Sequence, residues 1–169
     1  MVFFRSAQQM KLGLALVAAL GMAGCSSKPN ADDGGGLGGV GAGVASPGST
    51  QDFVVNVGDK IFFETDSTEL TANAQATLEK QARWLNQYGR YNFTVEGHAD
   101  ERGTREYNFA LGARRSEVTK EYLAARGVNA ARIKTISYGK ERPVAVCNDI
   151  SCWSQNRRAV TVLNAGGNS

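Results

Sequence analysis

The chain has 169 residues, of which 42% are hydrophobic and 21% are charged, and its formal net charge is +3. This length leaves room for one ordinary globular domain with one modest core. Without the two basic residues of the N-terminal segment described next, 17 basic and 16 acidic side chains remain, and this balance excludes nucleic acid as a partner recognised by charge.

The first 24 residues are typical of a secretory signal. Arg5 and Lys11 flank an otherwise uncharged start, and the apolar run LGLALVAALGMAG at 12–24 is too short to cross a bilayer comfortably. The alternative is a hydrophobic core helix, but the glycine-rich stretch that follows gives such a helix nothing to pack against. We therefore expect residues 1–24 to be a signal peptide.

The signal ends in Met22-Ala23-Gly24-Cys25, which resembles the lipobox of bacterial lipoproteins. That resemblance implies that Cys25 becomes the first residue of the mature chain and carries acyl chains such as palmitate, which suffice for stable anchoring. Ser26 stands where aspartate would favour the inner membrane, so the resemblance implies the outer membrane. Residues 25–52 are rich in Gly, Ser and Ala, and we expect the lipidated cysteine and a flexible tether there.

Two strands and one helix are predicted in the next part of the chain. The β-branched and aromatic run DFVVNVGDKIFFE at 52–64 indicates a strand, and so does YNFTVEGH at 91–98. Between them a helix begins at Thr71 and stops at Gly89. Its predicted apolar face consists of Leu78, Ala82 and Leu85.

A second helix and two more strands follow. The helix is predicted from about Thr104 to Arg126, and the strands are RIKTISYG at 132–139 and RRAVTVLN at 157–164, separated by a loop that contains CNDISC. The alternation of elements favours an α/β domain, an α+β sandwich at 53–164 whose mixed, partly parallel sheet is covered by helices.

Cys147 and Cys152 both lie in the predicted loop. In an oxidising compartment a disulfide between them is favoured over two free thiols, and it would act as a loop staple. A metal site would need further ligands of the same kind, and His98 is the only histidine in the chain. We expect neither a metal nor a cofactor.

The run GHADERGTREYN at 97–108 is a dense cluster of charges. A single histidine does not make a zinc site, and the chain has no G-x-S-x-G turn for a serine triad. Asp100 and Glu101 are adjacent carboxylates, which rarely face one substrate, and the neighbouring Arg102 favours low pKa values. Binding of a charged ligand is therefore a better hypothesis than catalysis.

The second helix carries polar residues on its apolar stripe. Asn108 and Arg115 share the stripe with Leu111, at spacings of three and four residues. Because a buried cation needs a partner, Arg115 is expected either to pair with Asp100 or to face a shared cleft with it and grip a zwitterion. Helix phase leaves open that Arg114 takes the inward position instead.

Several runs together resemble the OmpA-like peptidoglycan-binding domain family, and within it the peptidoglycan-associated lipoproteins. They are GHADERGTREYNFALGARRSEVTKEYL at 97–123, IFFETDSTEL at 61–70, ISYGKERP at 136–143 and NRRAV at 156–160. The resemblance covers about residues 53–164. The helical pattern Asn-x-x-Leu-(Ser/Gly)-x-x-Arg of this family is matched by Asn108, Leu111, Gly112 and Arg115.

For this chain the resemblance implies a peptidoglycan site. Asp100 and Arg115 would hold the ammonium and the carboxylate of meso-diaminopimelate in the stem peptide, and His98 would either touch the ligand or, as we favour, have a structural role. The implied pocket also includes Asn108, Leu111, Asp66, Ser67, Thr68 and, at its rim, Arg102. The closing motif of Asn156, Arg157 and Arg158 is expected to be structural.

The function that the resemblance implies is a non-enzymatic, lipid-anchored link between the outer membrane and peptidoglycan. It would belong to the Tol-Pal system, which supports envelope integrity and cell division, with TolB and other Tol proteins as partners. Two alternatives stay open, a cell-wall hydrolase and a surface lipoprotein with only protein partners.

Overall fold

The computed structural model describes residues 45–164 of the chain, and the structural statements below concern that range. Its elements in chain order are α1 (Thr50–Asp52) continued by a wide helical turn (Phe53–Val57), β1 (Lys60–Phe62), α2 (Ala72–Gln87), β2 (Asn92–His98), α3 (Arg105–Ala125), a 3-10 turn (Ala130–Arg132), β3 (Ile133–Gly139), α4 (Ile150–Asn156) and β4 (Arg158–Asn164). None of the helices in this range is both long and apolar enough to cross a membrane.

The strands within 45–164 form one sheet in the order β1-β4-β2-β3. Strand β4 is antiparallel to both of its neighbours, whereas β2 and β3 are parallel. The predicted α/β domain with a mixed, partly parallel sheet is confirmed. Because β1 and β2 both run opposite to β4, their C-terminal ends lie at the same edge of the sheet.

The core lies between the sheet and the helices α2 and α3. Tyr91, Phe93 and Val95 are buried and alternate with more exposed residues of β2, as the predicted period of two requires. The other fully buried side chains of the core include Phe53, Leu78, Leu85 and Leu123. Burial of each such side chain stabilises the fold by about 1.5–3 kcal/mol.

Helix α3 approaches β2 very closely where two glycines meet. A Cβ atom on Gly97 would lie 1.8 Å from the carbonyl oxygen of Gly112, and one on Gly112 would lie 2.5 Å from Oγ of Ser137. Neither position therefore has room for a side chain. This contact places the N-terminal half of α3 over the edge where β1 and β2 end.

The predicted strand at 52–64 is wrong over most of its length. Only β1 is a strand, and residues 50–57 are helical. Phe53 and Val57, four residues apart, pack on the core, and the two valines after Phe53 are exposed. This is the burial pattern of a helix, and it overrides the strand preference of the β-branched residues.

The segment between β3 and β4 was predicted to be a loop, but it contains the helix α4. The side chain of Asp149 caps this helix by accepting a hydrogen bond from the backbone N–H of Ser151 at 2.7 Å. Helix α4 has seven residues and buries only Cys152 and Asn156. Because the helix is short and buries only two residues, the sequence shows no helical repeat of apolar residues here, and the helix was not predicted.

The folded domain begins before the predicted boundary at residue 53. The carbonyl of Gly48 accepts a hydrogen bond from the hydroxyl of Tyr91 at 2.8 Å, and Asp52 accepts one from the indole of Trp84 at 2.8 Å. The last residues of the predicted tether therefore pack on the domain. The signal peptide, Cys25 and the first part of the tether lie outside the described residues.

Replacing Gly48 with alanine tests this docked segment. Gly48 has a φ of +74°, and a Cβ there would lie 2.4 Å from the ring of Tyr88. We expect Gly48→Ala to lower the free energy of unfolding of the full chain by about 1–3 kcal/mol in urea titrations, since both strain and a clash oppose the native backbone. Gly89→Ala is the control, because nothing lies within 4 Å of its Cβ. Equal stability of the two variants would contradict the docking.

Candidate functional site

A cleft lies at the edge of the sheet where β1 and β2 end. The loop that follows β1, the loop that follows β2 and the start of α3 enclose a volume of about 240 Å³. The lining residues are Thr65, Asp66, Asp100, Arg102, Gly103, Tyr107, Asn108 and Leu111. Of the eight binding residues predicted from the sequence, the structure brings these five to the cleft: Asp66, Asp100, Arg102, Asn108 and Leu111.

Asp100 is the most tightly held carboxylate of the cleft, with 7% of its surface exposed. Its Oδ1 accepts hydrogen bonds from the backbone N–H and Nε of Arg102 at 3.2 and 3.1 Å, and its Oδ2 accepts from Nη2 of Arg102 at 2.6 Å and Nη1 of Arg157 at 3.4 Å. Burial raises the pKa of Asp100, but the bonds and charge of Arg102 and the bond from Arg157 together lower it below its usual value. Asp100 is therefore ionised at neutral pH.

Arg102 is the accessible cation of the cleft. Its Nη2 also donates to Oγ1 of Thr65 at 3.4 Å, and its guanidinium lies over the ring of Trp153, with 4.2 Å from Cζ to the ring centroid. Among the described residues no partner binds Nη1 of Arg102. That nitrogen is therefore available to an anionic group that enters the cleft.

Arg115 lies in the protein interior, with no exposed surface. Its Nε donates to the carbonyl of Ser67 at 2.9 Å, Nη1 to the carbonyl of His98 at 2.8 Å and Nη2 to the carbonyl of Glu64 at 3.1 Å. Carbonyl dipoles thus take the place of a carboxylate partner. Burial, followed by the charge of Arg157, lowers the pKa of Arg115 to about 10, so the guanidinium is still charged at neutral pH.

Asp100 and Arg115 do not pair directly with each other in this structure, and their predicted joint grip on a zwitterion stays a prediction. Within the described range, the ion pairs of Asp100 are with Arg102 and Arg157, and Arg115 lies beneath the loop that follows β1. Arg114 is exposed, so of the two adjacent arginines Arg115 takes the inward position. The spacing of residues on α3 correctly predicted that Arg115 lies on the inward face. How deeply Arg115 is buried depends on loops from other parts of the chain.

Two other predicted residues shape the cleft through local contacts. Asn108 is buried, and its Nδ2 donates to the carbonyl of Arg102 at 2.7 Å, which holds the loop after β2 against α3. Asp66 is exposed, has a φ of +54° and accepts a hydrogen bond from the hydroxyl of Tyr107. This bond raises the pKa of Tyr107. The two loops are thus each tied to the first turns of α3.

Ser67 and Thr68 do not line the cleft. The carbonyl of Ser67 binds Arg115, and its hydroxyl accepts a hydrogen bond from the N–H of Glu69 at 3.0 Å, while Thr68 is half-buried. They lie in the loop that borders the cleft, next to Thr65 and Asp66, and their predicted ligand contacts stay a prediction. Ser67 acts one layer below the cleft, where it holds Arg115.

His98 is buried at the end of β2 and does not line the cleft. Its ring packs against that of Tyr138, with 5.5 Å between centroids. Burial, and then the charges of Arg158 and Arg142, lower the pKa of His98 to about 4. His98 is therefore neutral at physiological pH, and within the described residues neither of its ring nitrogens has a hydrogen-bond partner, so its structural role stays a prediction.

Sequence reasoning missed three side chains near the cleft. Tyr107 lies in the first turn of α3, off the apolar stripe, and Trp153 lies in the helix that was not predicted. Arg157, which was expected to be structural, contacts Asp100 and also donates from Nε to the carbonyl of Phe63 at 3.0 Å. Of these three residues, only Tyr107 could have been identified from the sequence, because it is an aromatic residue on a polar face of the helix.

Cys147 and Cys152 form a disulfide in the structure, with their Cα atoms 5.7 Å apart. The bond joins the loop after β3 to α4. In residues 45–164 no three or more His, Cys, Asp or Glu side chains are grouped so that they could hold a metal ion.

The sequence is similar to that of known proteins over most of its length. The model of the OmpA family matches residues 62–158. The peptidoglycan-associated lipoprotein of Rhizobium meliloti (strain 1021) is 66% identical over 155 residues, which cover 91% of this chain and 88% of that protein. The peptidoglycan-associated lipoprotein of Brucella melitensis biotype 1 is 59% identical over 163 residues, covering 96% and 97%.

The fold is also similar to solved structures. The peptidoglycan-associated lipoprotein from Burkholderia pseudomallei aligns with a TM-score of 0.61 at 39% identity, over 63% of this chain and 90% of that chain. The C-terminal domain of MotB from Helicobacter pylori, at 22% identity and a TM-score of 0.60, covers 65% of this chain and 87% of that one and shares the fold. By sequence and by fold, this chain belongs to the OmpA family, in its branch of peptidoglycan-associated lipoproteins.

Proposed function

We propose that this chain is an envelope lipoprotein that binds peptidoglycan non-covalently and so tethers the outer membrane to the cell wall. The names of its relatives support peptidoglycan as the partner. In this proposal the lipid on Cys25 enters the outer membrane, the glycine-rich segment bridges the gap, and the domain faces the periplasm.

One observation carries the proposal, namely that Asp100 and Arg102 present an ionised carboxylate and a guanidinium side by side in a cleft. The free amino-acid end of meso-diaminopimelate in the stem peptide is a zwitterion. Its ammonium would bind Asp100, and its carboxylate would bind Nη1 of Arg102, so that the four charges alternate in sign. Charge-assisted hydrogen bonds of this kind are the strong ones.

Arg115 has a different part in this proposal from the one first expected. It supplies a positive charge beneath the loop that follows β1, and it holds that loop through the carbonyls of Glu64 and Ser67. Arg115 has no exposed surface, so a direct contact between its remaining N–H groups and the ligand carboxylate would require the loop that follows β1 to move. The accessible cation for the carboxylate is therefore Arg102.

The proposal assigns no catalysis to the cleft. Asp100 accepts four hydrogen bonds from arginine and Asp66 accepts one from Tyr107, which suits fixed anions. A general acid for glycoside hydrolysis would need a raised pKa, whereas the pKa of Asp100 is lowered. Release of soluble fragments from purified peptidoglycan would favour the alternative of a hydrolase.

Membership of the branch supports a further part of the proposal, that the chain acts in the Tol-Pal system. TolB and other Tol proteins would be its protein partners, and envelope integrity and cell division would depend on it. Capture of TolB by the full chain, in competition with peptidoglycan, would test this part.

Asp100→Asn tests the proposed site, because it removes the charge and keeps the shape. We expect the affinity of the full chain for purified diaminopimelate-type peptidoglycan to fall by roughly 10- to 150-fold in co-sedimentation, the loss of a charge-assisted contact worth about 1.5–3 kcal/mol. Glu121→Gln, which removes an exposed carboxylate on α3, should bind like the wild type. Unchanged sedimentation of a folded Asp100→Asn variant would refute the site.

Arg115→Ala separates a buried structural cation from a ligand contact. We expect it to lower the free energy of unfolding by about 3–5 kcal/mol, since three buried carbonyls lose their donor and a cavity is left. Arg114→Ala, at the exposed neighbouring position, should change it by less than about 0.5 kcal/mol. Urea unfolding of both variants is the measurement, and equal stabilities would count against the buried role.

Cys25→Ser tests the proposed anchor. Without the thiol no thioether-linked lipid can form, so we expect the variant to leave the membrane fraction and to incorporate no labelled palmitate. The wild type, fractionated in parallel, should stay with the outer membrane. Palmitate labelling of the Cys25→Ser variant would be incompatible with lipidation at this residue.

A further inference from the structure

Trp153 lies outside the proposed binding pair but contacts its cationic half. Its ring faces the guanidinium of Arg102 at 4.2 Å, and its indole Nε1 donates to the carboxylate of Glu101 at 2.5 Å. One aromatic side chain therefore contacts the two residues that follow Asp100 in the loop. Trp153 itself is half-buried.

The helix that carries Trp153 is fixed mainly by covalent and polar contacts. The disulfide joins Cys152 of α4 to Cys147 in the preceding loop. At the other end of α4, the side chain of Asn156 accepts a hydrogen bond from the N–H of Val144 at 2.9 Å and donates to the carbonyl of Ala145 at 2.8 Å. With so few buried apolar groups, the position of α4 depends on these ties.

We propose that Trp153 is a positioning residue for the peptidoglycan site: it holds the guanidinium of Arg102 where that group can bind Asp100 and a ligand carboxylate together. The Cys147–Cys152 disulfide in turn holds the helix that carries Trp153. This inference rests on the proposed function, and it adds a residue to the site.

The physical reason is the freedom of an exposed arginine. The side chain of Arg102 is 40% exposed and has many rotamers in solution, and restricting them opposes binding. Contact between a guanidinium and an aromatic face is attractive, more so for a Trp ring than for Phe or Tyr. By restricting the side chain of Arg102 before the ligand arrives, Trp153 reduces the conformational entropy that is lost on binding.

The contact between Trp153 and Arg102 also affects the pKa of Asp100. The contact can therefore be tested by a pKa measurement without a ligand. The charged groups around Asp100 are Arg102 in its own loop, Arg157 before β4 and Arg115 on α3. The hydrogen bonds from Arg102 are the largest influence that lowers the pKa of Asp100. If Arg102 is released from Trp153, those bonds weaken, and the pKa of Asp100 rises.

The test compares Trp153→Leu with Trp153→Phe in the full chain. The leucine variant should bind peptidoglycan about 2- to 5-fold more weakly at neutral pH. Its Asp100 pKa, followed by the carboxyl ¹³C signal from about pH 3 to about pH 7, should be higher than in the wild type. Because binding needs ionised Asp100, the acidic limit of binding should move to higher pH by the same amount.

The phenylalanine variant keeps an aromatic face for Arg102 and loses only the indole N–H. It should restore most of the affinity and bring the Asp100 pKa back towards the wild-type value, a rescue that loss of packing alone would not give. Ile150→Ala, at a position in the same helix that is 60% exposed, should leave both quantities unchanged.

The role of the disulfide is tested by Cys147→Ser combined with Cys152→Ser. A chain without the bond should change in the same direction as Trp153→Leu in both affinity and Asp100 pKa. Circular dichroism confirms for each variant that the domain is folded.

The binding measurements distinguish a wrong role for Trp153 from a wrong function of the domain. If the wild type binds peptidoglycan and a folded Trp153→Leu variant has the same affinity and the same Asp100 pKa, the inference is wrong and the proposed function is unaffected. If the wild type does not bind, the proposed function is wrong, and the peptidoglycan role of Trp153 is wrong with it.

Discussion

Three backbone carbonyls around the buried guanidinium of Arg115 hold the functional edge of this domain together. They belong to Glu64 and Ser67, in the loop after β1, and to His98, the last residue of β2. A planar guanidinium donates in several fixed directions at once, which an ammonium group on a flexible stem does not. The relative position of the two loops, and with it the shape of the cleft, depends on this one side chain.

The second constraint is the approach of α3 to the sheet. Because Gly97 and Gly112 both lack a side chain, the helix lies close enough for Arg115 to reach the carbonyl at the end of β2 and the two carbonyls in the loop after β1. The same approach brings Asn108 and Tyr107 against the two loops. Close backbone packing and the buried charge of Arg115 thus act at the same place, and they support the cleft that contains Asp100 and Arg102.

Periodicity predicted α2, β2, α3, β3 and β4, because each has a face that is buried regularly. It failed at 52–57, where β-branched residues form a helix whose buried positions are four apart, and at α4, which disulfide and amide contacts hold in place of an apolar face. For the site, spacing on α3 identified Asn108 and Arg115 as inward residues. It did not predict that Arg115 would bind carbonyls, because those come from residues 17 to 51 positions away.

The strand order has a consequence for how the domain is made. Strand β4 is the last strand of residues 45–164, yet it lies between β1 and β2, and Lys60 pairs with Val160 across one hundred positions. Of the three strands that precede it, only β2 and β3 are neighbours. Such long-range pairing is slow to form, since distant segments must first meet. During synthesis, which starts at the N-terminus, the sheet therefore cannot be completed until residues 158–164 have been made. The cleft between the ends of β1 and β2 is then among the last features to form.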